Sequence, residues 1–369
     1  MQVSPSLKFL FLEPFYGGSH REFADGWIAH SRHKIDLLTL PDRFWKWRMR
    51  GAALHFFRKS EELGSYDGLI ATDLMSLSDF KALSGPVCPP SLVYFHENQF
   101  SYPLAPGEQM DFQFGFTDIT TALAAERVVF NSHTHQEAFF SGMTRFLKMM
   151  PDHAPKWAVE RVLAKSGVLY PGCRFEAGRM DLSTPPAQEP PLIIWNHRWE
   201  FDKNPEDFFE VLDAILANGQ DFRLALLGET SRTVPKPFEA ARQRYGHRIV
   251  QYGYEPSREA YIGWLKQGNI VVSTAVQENF GISVIEAARY GCIPLLPNRL
   301  SYPEIIPAAF HPQVLYDSQN ALREKLTALL YDYTSFQELR MNLADAMGRF
   351  AWESTIEQFD GVLEGLQSR

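Results

Sequence analysis

Short apolar runs alternate with amphipathic stretches along most of the chain. The runs are nearly continuous in Val, Ile, Leu and Phe, which is typical of parallel strands that are buried on both faces. The first series comprises Lys8–Leu12, Lys34–Leu40, Gly68–Ala71, Leu92–Phe95, Arg127–Asn131 and Gly167–Tyr170. The second series comprises Pro191–Trp195, Phe222–Leu227, Arg248–Tyr252, Asn269–Ser273, Cys292–Leu296 and Val314–Tyr316. The pattern predicts an α/β protein with two doubly wound sheets.

A polar, proline-rich stretch separates the two series of strands. Its prolines, among them Pro185 and Pro186, continue neither a helix nor a strand, so the stretch is typical of a linker. The residues after Tyr333 have apolar positions at helical spacing and no further strand, and we expect their end to pack back on the N-terminal domain. The predicted order is an N-terminal Rossmann-like domain at 1–172, a linker at 173–190, a C-terminal Rossmann-like domain at 191–345 and a helical segment at 346–369.

Composition narrows the class of protein. A chain of 369 residues exceeds what one hydrophobic core supports, which favours two domains. Three widely spaced cysteines indicate neither a disulfide framework nor a metal site. No apolar stretch reaches the length of a membrane span or a signal peptide, so we expect a cytoplasmic protein without a membrane partner. The net charge of −8 argues against binding nucleic acid by bulk charge, but it leaves room for a local basic patch.

Polar residues and glycines follow the first and fourth predicted strands, where α/β sheets bind their ligands. Gly17 and Gly18 allow backbone N–H groups to approach a ligand, or they only form a tight strand-to-helix turn. His96, Glu97 and Asn98 end the fourth strand abruptly. We expect His96 to donate to a hydroxyl or to stabilise developing charge; the alternative is a structural histidine bonded to a backbone carbonyl.

A basic and aromatic segment lies between Pro41 and Lys59. Cations and rings in alternation suit phosphate contact and stacking on splayed-out bases. The alternative is an amphipathic helix with aromatic core positions and a solvated basic face. Its side chains are Arg43, Lys46, Arg48, Arg50, Arg58 and Lys59, with Phe44, Trp45, Trp47, Phe56 and Phe57 between them. The further candidates for contact with the acceptor also follow predicted strands, and Asn131 among them equally suits a turn. They are His20, Glu97, Asn98 and Asn131.

The head of the second sheet contains a set of residues suited to a nucleoside diphosphate. Arg198 and Lys203 follow its first strand, and both are suited to reach one diphosphate. Farther on, Glu278 is expected in a loop and Glu286 in the helix that follows. The residues between them, Asn279, Phe280, Gly281 and Ile282, predict a helix start whose free N–H groups and positive dipole end attract phosphate.

The Glu278–Glu286 spacing, the Arg198 and Lys203 pair and the glycine turn resemble the retaining glycosyltransferase family 4. The resemblance implies a GT-B fold, with two domains facing across a cleft and no catalytic metal or other cofactor. It implies that Arg198 and Lys203 bind the donor diphosphate, that Glu278 contacts the transferred sugar and that Glu286 holds the ribose. His96 and Glu278 are then the candidate catalytic residues, and the glycine turn adds to the donor site.

The N-terminal half resembles a narrower group, the tRNA-queuosine α-mannosyltransferases. The similarity is carried by the runs Leu12–His20, Leu40–Ala53, Tyr94–Pro103 and Phe130–Ser132, and by Trp195–Glu200 in the second half. It implies transfer of mannose from GDP-mannose to the cyclopentenediol of queuosine in the anticodon of a tRNA of the tRNA-Asp type.

Two other classes of function remain open from the residues alone. One is a glycosyltransferase with a lipid, glycan or small-metabolite acceptor. The other is a noncatalytic nucleotide- or RNA-binding protein on a decayed transferase scaffold, against which the acidic and basic residues of the donor site argue.

Overall fold

The structure is a computed structural model, and it describes residues 6–104, 107, 109–176, 178, 182, 190–229 and 234–367. The chain divides into two compact units. The first consists of Met1–Arg174 together with Phe350–Arg369, and the second is Phe175–Arg349.

The first unit contains a six-stranded sheet. Its strands are β1 (Lys8–Tyr16), β2 (Lys34–Pro41), β3 (Gly68–Thr72), β4 (Ser91–Phe95), β5 (Arg127–Phe130) and β6 (Ser166–Val168). Its helices are α1 (Gly18–His30), α2 (Trp45–Lys59), α3 (Leu77–Ser84), α4 (Phe112–Ala124), α5 (His133–Lys148), α6 (Trp157–Leu163) and α15 (Trp352–Glu364). The strand order is β2-β1-β3-β4-β5-β6, and all pairs are parallel.

The second unit contains a second sheet of six strands. They are β7 (Leu192–Trp195), β8 (Arg223–Leu226), β9 (Ile249–Tyr252), β10 (Ile270–Val272), β11 (Ile293–Pro297) and β12 (Leu315–Tyr316). The helices are α7 (Pro205–Ala217), α8 (Lys236–Tyr245), α9 (Arg258–Gln267), α10 (Ile282–Arg289), α11 (Tyr302–Ile305), α12 (His311–Val314), α13 (Gln319–Tyr331) and α14 (Gln337–Met347). The order β12-β11-β10-β7-β8-β9 is again wholly parallel.

The strand predictions are confirmed for every run of both series, with bounds that differ by at most a few residues. The largest difference is at β1, which continues through Glu13 to Tyr16 instead of ending at Leu12. A shift of register between Glu13 and Tyr16 allows this extension, because it carries the chain past Pro14 while the strand stays paired to β2. The predicted linker lies mostly outside the described residues.

Each sheet is covered by helices on both faces, which explains why its strands read as continuous apolar runs. On one face of the first sheet, α2 to α6 pack against residues such as Leu69 and Val93. On the other face, α1 and α15 bury Trp27, Trp352 and Phe359. The C-terminal helix is therefore a part of the core of the first unit.

Candidate active site

The carboxyl end of β7 positions the predicted diphosphate-binding residues of the second unit. After the strand, a short 3-10 helix at Phe201–Lys203 turns the chain back toward the sheet. It buries Lys203, whose Nζ donates to the carbonyl oxygen of Gln277 at 2.8 Å and lies 3.4 Å from Glu278 Oε2. The two residues, 75 positions apart in the chain, thus form one ion pair at the edge of the sheet.

The surroundings of this ion pair keep both groups charged. Burial is the largest influence and would raise the pKa of Glu278, but the charge and hydrogen bond of Lys203, together with the Phe280 N–H, lower that pKa. Burial would lower the pKa of Lys203, and the Glu278 and Asp202 carboxylates raise it instead. His197, beside them, has its pKa lowered to about 4 by burial and by the Lys203 charge, so it is neutral at physiological pH. The site therefore presents a fixed cation and a fixed anion.

Arg198 differs from Lys203 in its exposure. Its side chain is 52% exposed, and its guanidinium lies 3.3 Å from Glu200 Oε1. An exposed ion pair of this kind contributes little to stability and is readily exchanged for another partner. Arg198 is therefore accessible to an anionic ligand, whereas Lys203 is held by the protein.

The loop between β10 and α10 carries the remaining predicted donor contacts. Glu278 lies in this loop and Glu286 in α10, as the sequence predicted. Gly281 is the N-cap residue of α10 with φ of 101°, a conformation that favours glycine, and it has no side chain to accept the first helical N–H bonds. The backbone of Phe280 is fixed by Ser301, whose Oγ donates to the Phe280 carbonyl oxygen at 2.8 Å. Asn279 Oδ1 accepts a hydrogen bond from Gln277.

Glu286 has protein partners that the sequence did not reveal. Arg258 Nη2 donates to Glu286 Oε1 at 2.6 Å, and Tyr261 Oη donates to Oε2 at 3.2 Å. Asn196, at the end of β7, donates to Tyr261 Oη and to the carbonyl oxygen of Ser283. These bonds fix the carboxylate of Glu286 between α9 and α10.

The first unit brings Glu13, His20 and His96 together at the ends of β1 and β4 and the start of α1. One ligand atom from each lies within 4.8 Å of the others, a proximity that a metal ion would accept. The two imidazole rings are 4.2 Å apart between centroids. His20 Nδ1 lies 3.4 Å from Glu13 Oε1. An ion pair between Glu13 and His20 explains the closeness of these side chains as well as a metal ion would.

The two histidines differ in charge. Burial is the largest influence and would lower the pKa of His20, but the Glu13 carboxylate, with Asp73 and Glu97, raises the pKa to about 9. Burial and the neighbouring His20 charge hold the pKa of His96 well below its ordinary value. At neutral pH this edge of the sheet therefore holds a cationic His20 beside a neutral His96.

Four polar side chains fix the loop that follows β4. Asp73 Oδ1 accepts from His96 N at 2.8 Å, and Asn131 Nδ2 donates to the His96 carbonyl oxygen at 2.9 Å. Asp118, buried on α4, accepts from Gln99 N at 2.8 Å. Asn98 is buried and bonds within its own loop, to the backbone of the residues that follow. Asn131, a candidate for acceptor contact, thus uses its amide group to hold the backbone of His96. Asn98, another such candidate, holds the backbone of Phe100 and Ser101 instead.

The glycine turn also has a structural requirement. A Cβ atom at Gly17 would lie 1.9 Å from Asp42 Oδ2, so only glycine allows this contact. Gly18, the first residue of α1, has φ of 49° and open space around its Cα. The close contact with Asp42 supports the interpretation of Gly17 as part of a tight strand-to-helix turn. The open space at Gly18 is compatible with the approach of a ligand.

The predicted basic segment forms α2 and the residues before it. Arg43 and Lys46 are exposed. Arg48 is half-buried and donates to the Pro41 carbonyl oxygen, and Arg50 donates to the Gln113 side chain. Of the aromatic residues, Phe56 is fully buried and Trp47 is 77% exposed.

Sequence reasoning missed Asp73, Asp118, Arg258 and Tyr261. Asp73 directly follows β3, so the rule that ligands lie at strand ends would have found it. The other three lie within helices far along the chain from their partners, and their spacing carried no signal.

Comparison with known proteins agrees with this geometry. Residues 8–173 match the family described as tRNA-queuosine alpha-mannosyltransferase N-terminal, and residues 181–348 match the family described as glycosyl transferases group 1. The chain is 36% identical over 326 residues to the tRNA-queuosine alpha-mannosyltransferase of Drosophila melanogaster, covering 86% of this chain and 85% of that protein. This chain belongs to the tRNA-queuosine α-mannosyltransferase family. It is a glycosyltransferase of the hexosyltransferase class.

A shorter similarity extends to the serotype-specific mannosyltransferase WbdA of Escherichia coli. It is 28% identical over 130 residues, which are 32% of this chain and 16% of that protein.

Solved structures show the same fold at low sequence identity. HepE of Anabaena in complex with UDP and glucose has a TM-score of 0.66 and 13% identity, over 97% of this chain and all of that one. Sucrose-phosphate synthase of Thermosynechococcus elongatus has a TM-score of 0.70 and 15% identity, over 97% and 99% of the two chains. The predicted GT-B class is confirmed. Among the described residues, no helix combines the length and the apolar character that a membrane crossing requires.

Proposed function

We propose that this protein transfers mannose from GDP-mannose to queuosine in the anticodon of a tRNA of the tRNA-Asp type, with retention of configuration. The observation that carries the proposal is the 36% identity, over most of both chains, to a protein named for this activity. We propose a cytoplasmic activity, in keeping with a tRNA substrate.

The second unit supplies the donor site. When the bond between the sugar and the diphosphate breaks, negative charge develops on the leaving group. Lys203, held charged by Glu278, and the accessible Arg198 are suited to neutralise it. The free N–H groups and the positive dipole end at the start of α10, at Gly281 and Ile282, add to this. These groups support transfer without a metal ion or any other cofactor.

Glu278 and Glu286 are assigned to different parts of the donor. Glu278 is ionised and only 18% exposed, and it is suited to accept hydrogen bonds from the hydroxyls of the sugar. Glu286, fixed by Arg258 and Tyr261, is suited to hold the ribose hydroxyls, because a carboxylate accepts several hydrogen bonds at once. Asn279 and Phe280 complete the loop between the two carboxylates.

The first unit supplies the acceptor site. His96 is neutral and its backbone is held from two sides, so its position is fixed and its imidazole is suited to bond a hydroxyl of the reacting sugars. His20 and Glu97, beside it, add a cation and a carboxylate for the polar groups of the modified base. Gly18 leaves open space at the start of α1.

The test is mass spectrometry of nucleosides after incubation of the purified protein with queuosine-containing tRNA and GDP-mannose. We expect queuosine to gain one hexose, and no gain with the same tRNA lacking queuosine or with UDP-glucose as the donor. Arg198→Ala should lower kcat/KM by at least ~100-fold, because it removes a cation that neutralises the leaving diphosphate. Glu278→Gln should lower it by a similar factor, because it removes the carboxylate that holds Lys203 charged and accepts from the sugar hydroxyls.

The matched control is Glu206→Gln, an exposed carboxylate on α7 that should transfer as the wild type does. Unmodified queuosine with a folded, donor-binding protein would overturn the acceptor assignment and direct the search to lipid, glycan or small-metabolite acceptors. Full activity of folded Glu278→Gln would overturn the donor site.

A further inference from the structure

We propose that the exposed face of α2 is the docking surface for the acceptor RNA, with Trp47 stacking on an unpaired base. This proposal rests on the proposed function, and it names the part of the protein that recognises the polynucleotide around the modified base. The surface, called the α2 face below, consists of Arg43, Phe44, Lys46, Trp47, Arg50, Leu54 and Arg58.

The structure separates the two interpretations that the sequence left open for this segment. The core of the first unit takes Met49, Ala52, Ala53 and Phe56, which recur at helical spacing on one side of α2. Trp47 lies on the other side and is 77% exposed. The buried side already anchors the helix, so the exposed rings are not needed for the core. A tryptophan left this exposed is typical of a binding surface.

Backbone strain at the start of α2 is a second, independent observation. Phe44, the N-cap residue, has φ of 59° and ψ of 46°, a left-handed conformation that is unfavourable for a bulky residue. Its ring is 60% exposed, so burial does not compensate for the strain. Strain of this kind, of the order of 1–3 kcal/mol, concentrates at ligand-binding sites. Here it turns an aromatic ring toward solvent beside Trp47.

The charge of the segment is opposite to that of the whole chain. Positions 42–59 contain six Lys and Arg residues and a single carboxylate, Asp42, whereas the chain has a net charge of −8. A polyanion approaching an acidic protein is therefore drawn to this surface. Arg50 is oriented by its bond of 2.9 Å to Gln113 Oε1, and an oriented guanidinium loses less entropy when it binds a phosphate.

The α2 face adjoins the candidate acceptor site. The segment before α2 packs against the glycine turn, since Asp42 occupies the space where a Gly17 side chain would lie. The Trp45 ring lies 5.3 Å from that of Phe114 on α4, and α4 also carries Asp118, which fixes the loop after His96. A nucleic acid held on α2 thus has its neighbouring nucleotide at the carboxyl end of the first sheet.

The geometry favours RNA over a lipid surface. A helix that lies on a membrane turns its large apolar side toward the bilayer. In α2 that side, Met49 to Phe56, faces the core of the protein. The outward side alternates cations with isolated rings, which suits phosphates and bases in turn.

The test compares Trp47→Ala and the double variant Lys46→Glu/Arg58→Glu with wild type in fluorescence anisotropy with queuosine-containing tRNA. Loss of one stacked base should weaken the affinity for tRNA about 5- to 100-fold. The double variant should also make the plot of log affinity against log salt shallower by about 1–2. The affinity for GDP, measured by calorimetry, should stay unchanged. The controls are Tyr331→Ala and Arg323→Glu, an exposed ring and an exposed cation on α13 of the second unit.

The outcomes separate this proposal from the proposed function. Folded α2 variants that bind and mannosylate tRNA as wild type does overturn the α2 surface alone. Binding that depends on α2, with no hexose added to queuosine by wild type, supports the surface and overturns the acceptor assignment. Flotation with anionic phosphatidylserine vesicles that the same variants abolish, together with unchanged affinity for tRNA, identifies a lipid surface and overturns the RNA proposal.

Discussion

At the scale of the residue, the type of a side chain limits its possible roles, and its neighbours in the fold set its charge. Glu13 is an acid with no exposed surface, and it stays compatible with burial because His20 lies 3.4 Å away. His20 and His96 are chemically identical, yet one is held charged and the other neutral by their different neighbours. Sequence reasoning selected both residues, but it had no access to this division.

The His20 pKa predicts a dependence of stability on pH. The pKa is about 9 in the folded protein and about 6.5 in the unfolded chain, so the folded state binds an extra proton between these values. The contribution of His20 to stability is complete below pH ~6.5 and is lost as the pH rises through about 9.

We expect the thermal unfolding midpoint of wild type to fall between pH 7 and 9, and that of His20→Gln to fall less. Differential scanning fluorimetry across this range, at constant ionic strength, measures both. Parallel curves for the two proteins would show that Glu13 does not hold the proton on His20.

At the scale of the element, the loop after β4 shows how distant parts of the chain share one task. Its backbone is bonded by Asp73 directly after β3, Asn131 directly after β5 and Asp118 on α4. The strands were predictable because each is buried on both faces. The side-chain hydrogen bonds to this loop were not predictable, because the sequence does not show whether an aspartate on a helix, such as Asp118, faces solvent or a loop.

Asp118 is the clearest residue for testing this loop. Burial raises its pKa well above the ordinary value, and its Oδ2 accepts from Gln99 N at 2.8 Å. Asp118→Ala should cost about 1–3 kcal/mol in the free energy of unfolding, because it leaves a buried N–H without a partner. It should also lower kcat through His96.

Asp118→Asn is the matched control, since its amide oxygen still accepts the same bond. Urea unfolding and transfer kinetics measure both variants. Equal losses of stability and kcat in the two variants would mean that the charge of the carboxylate matters and not the bond.

At the scale of the whole molecule, each unit has a core of its own, and the chain returns to the first unit at its end. Trp352 on α15 packs so closely that a Cβ atom at Gly26 or Gly172 would lie about 2 Å from its ring. The sequence indicated a terminal helix but not this depth of burial. The final helix is therefore needed for the N-terminal half of the chain.

Trp352→Ala should destabilise the first unit by about 3–5 kcal/mol, because it leaves a large cavity beside Phe23 and Phe359. Hydrogen exchange should show faster exchange in β1 and α1, with the protection of β7, β10 and β11 unchanged. Tyr331→Ala, which removes an exposed ring of similar size, is the control. Equal loss of protection in both units would contradict independent cores.

The strands of both sheets, the parallel α/β class and the family were predictable from the sequence, because hydrophobic periodicity and short motifs are local properties. The sequence also placed Glu278 in a loop and Glu286 in a helix. Only the tertiary structure paired Lys203 with Glu278, gave Glu286 its partners Arg258 and Tyr261, and separated the buried side of α2 from its exposed side. Charge state, hydrogen-bond partners and exposure depend on residues that are far apart in the chain but close in space. The pattern of residues along the sequence does not contain these distances.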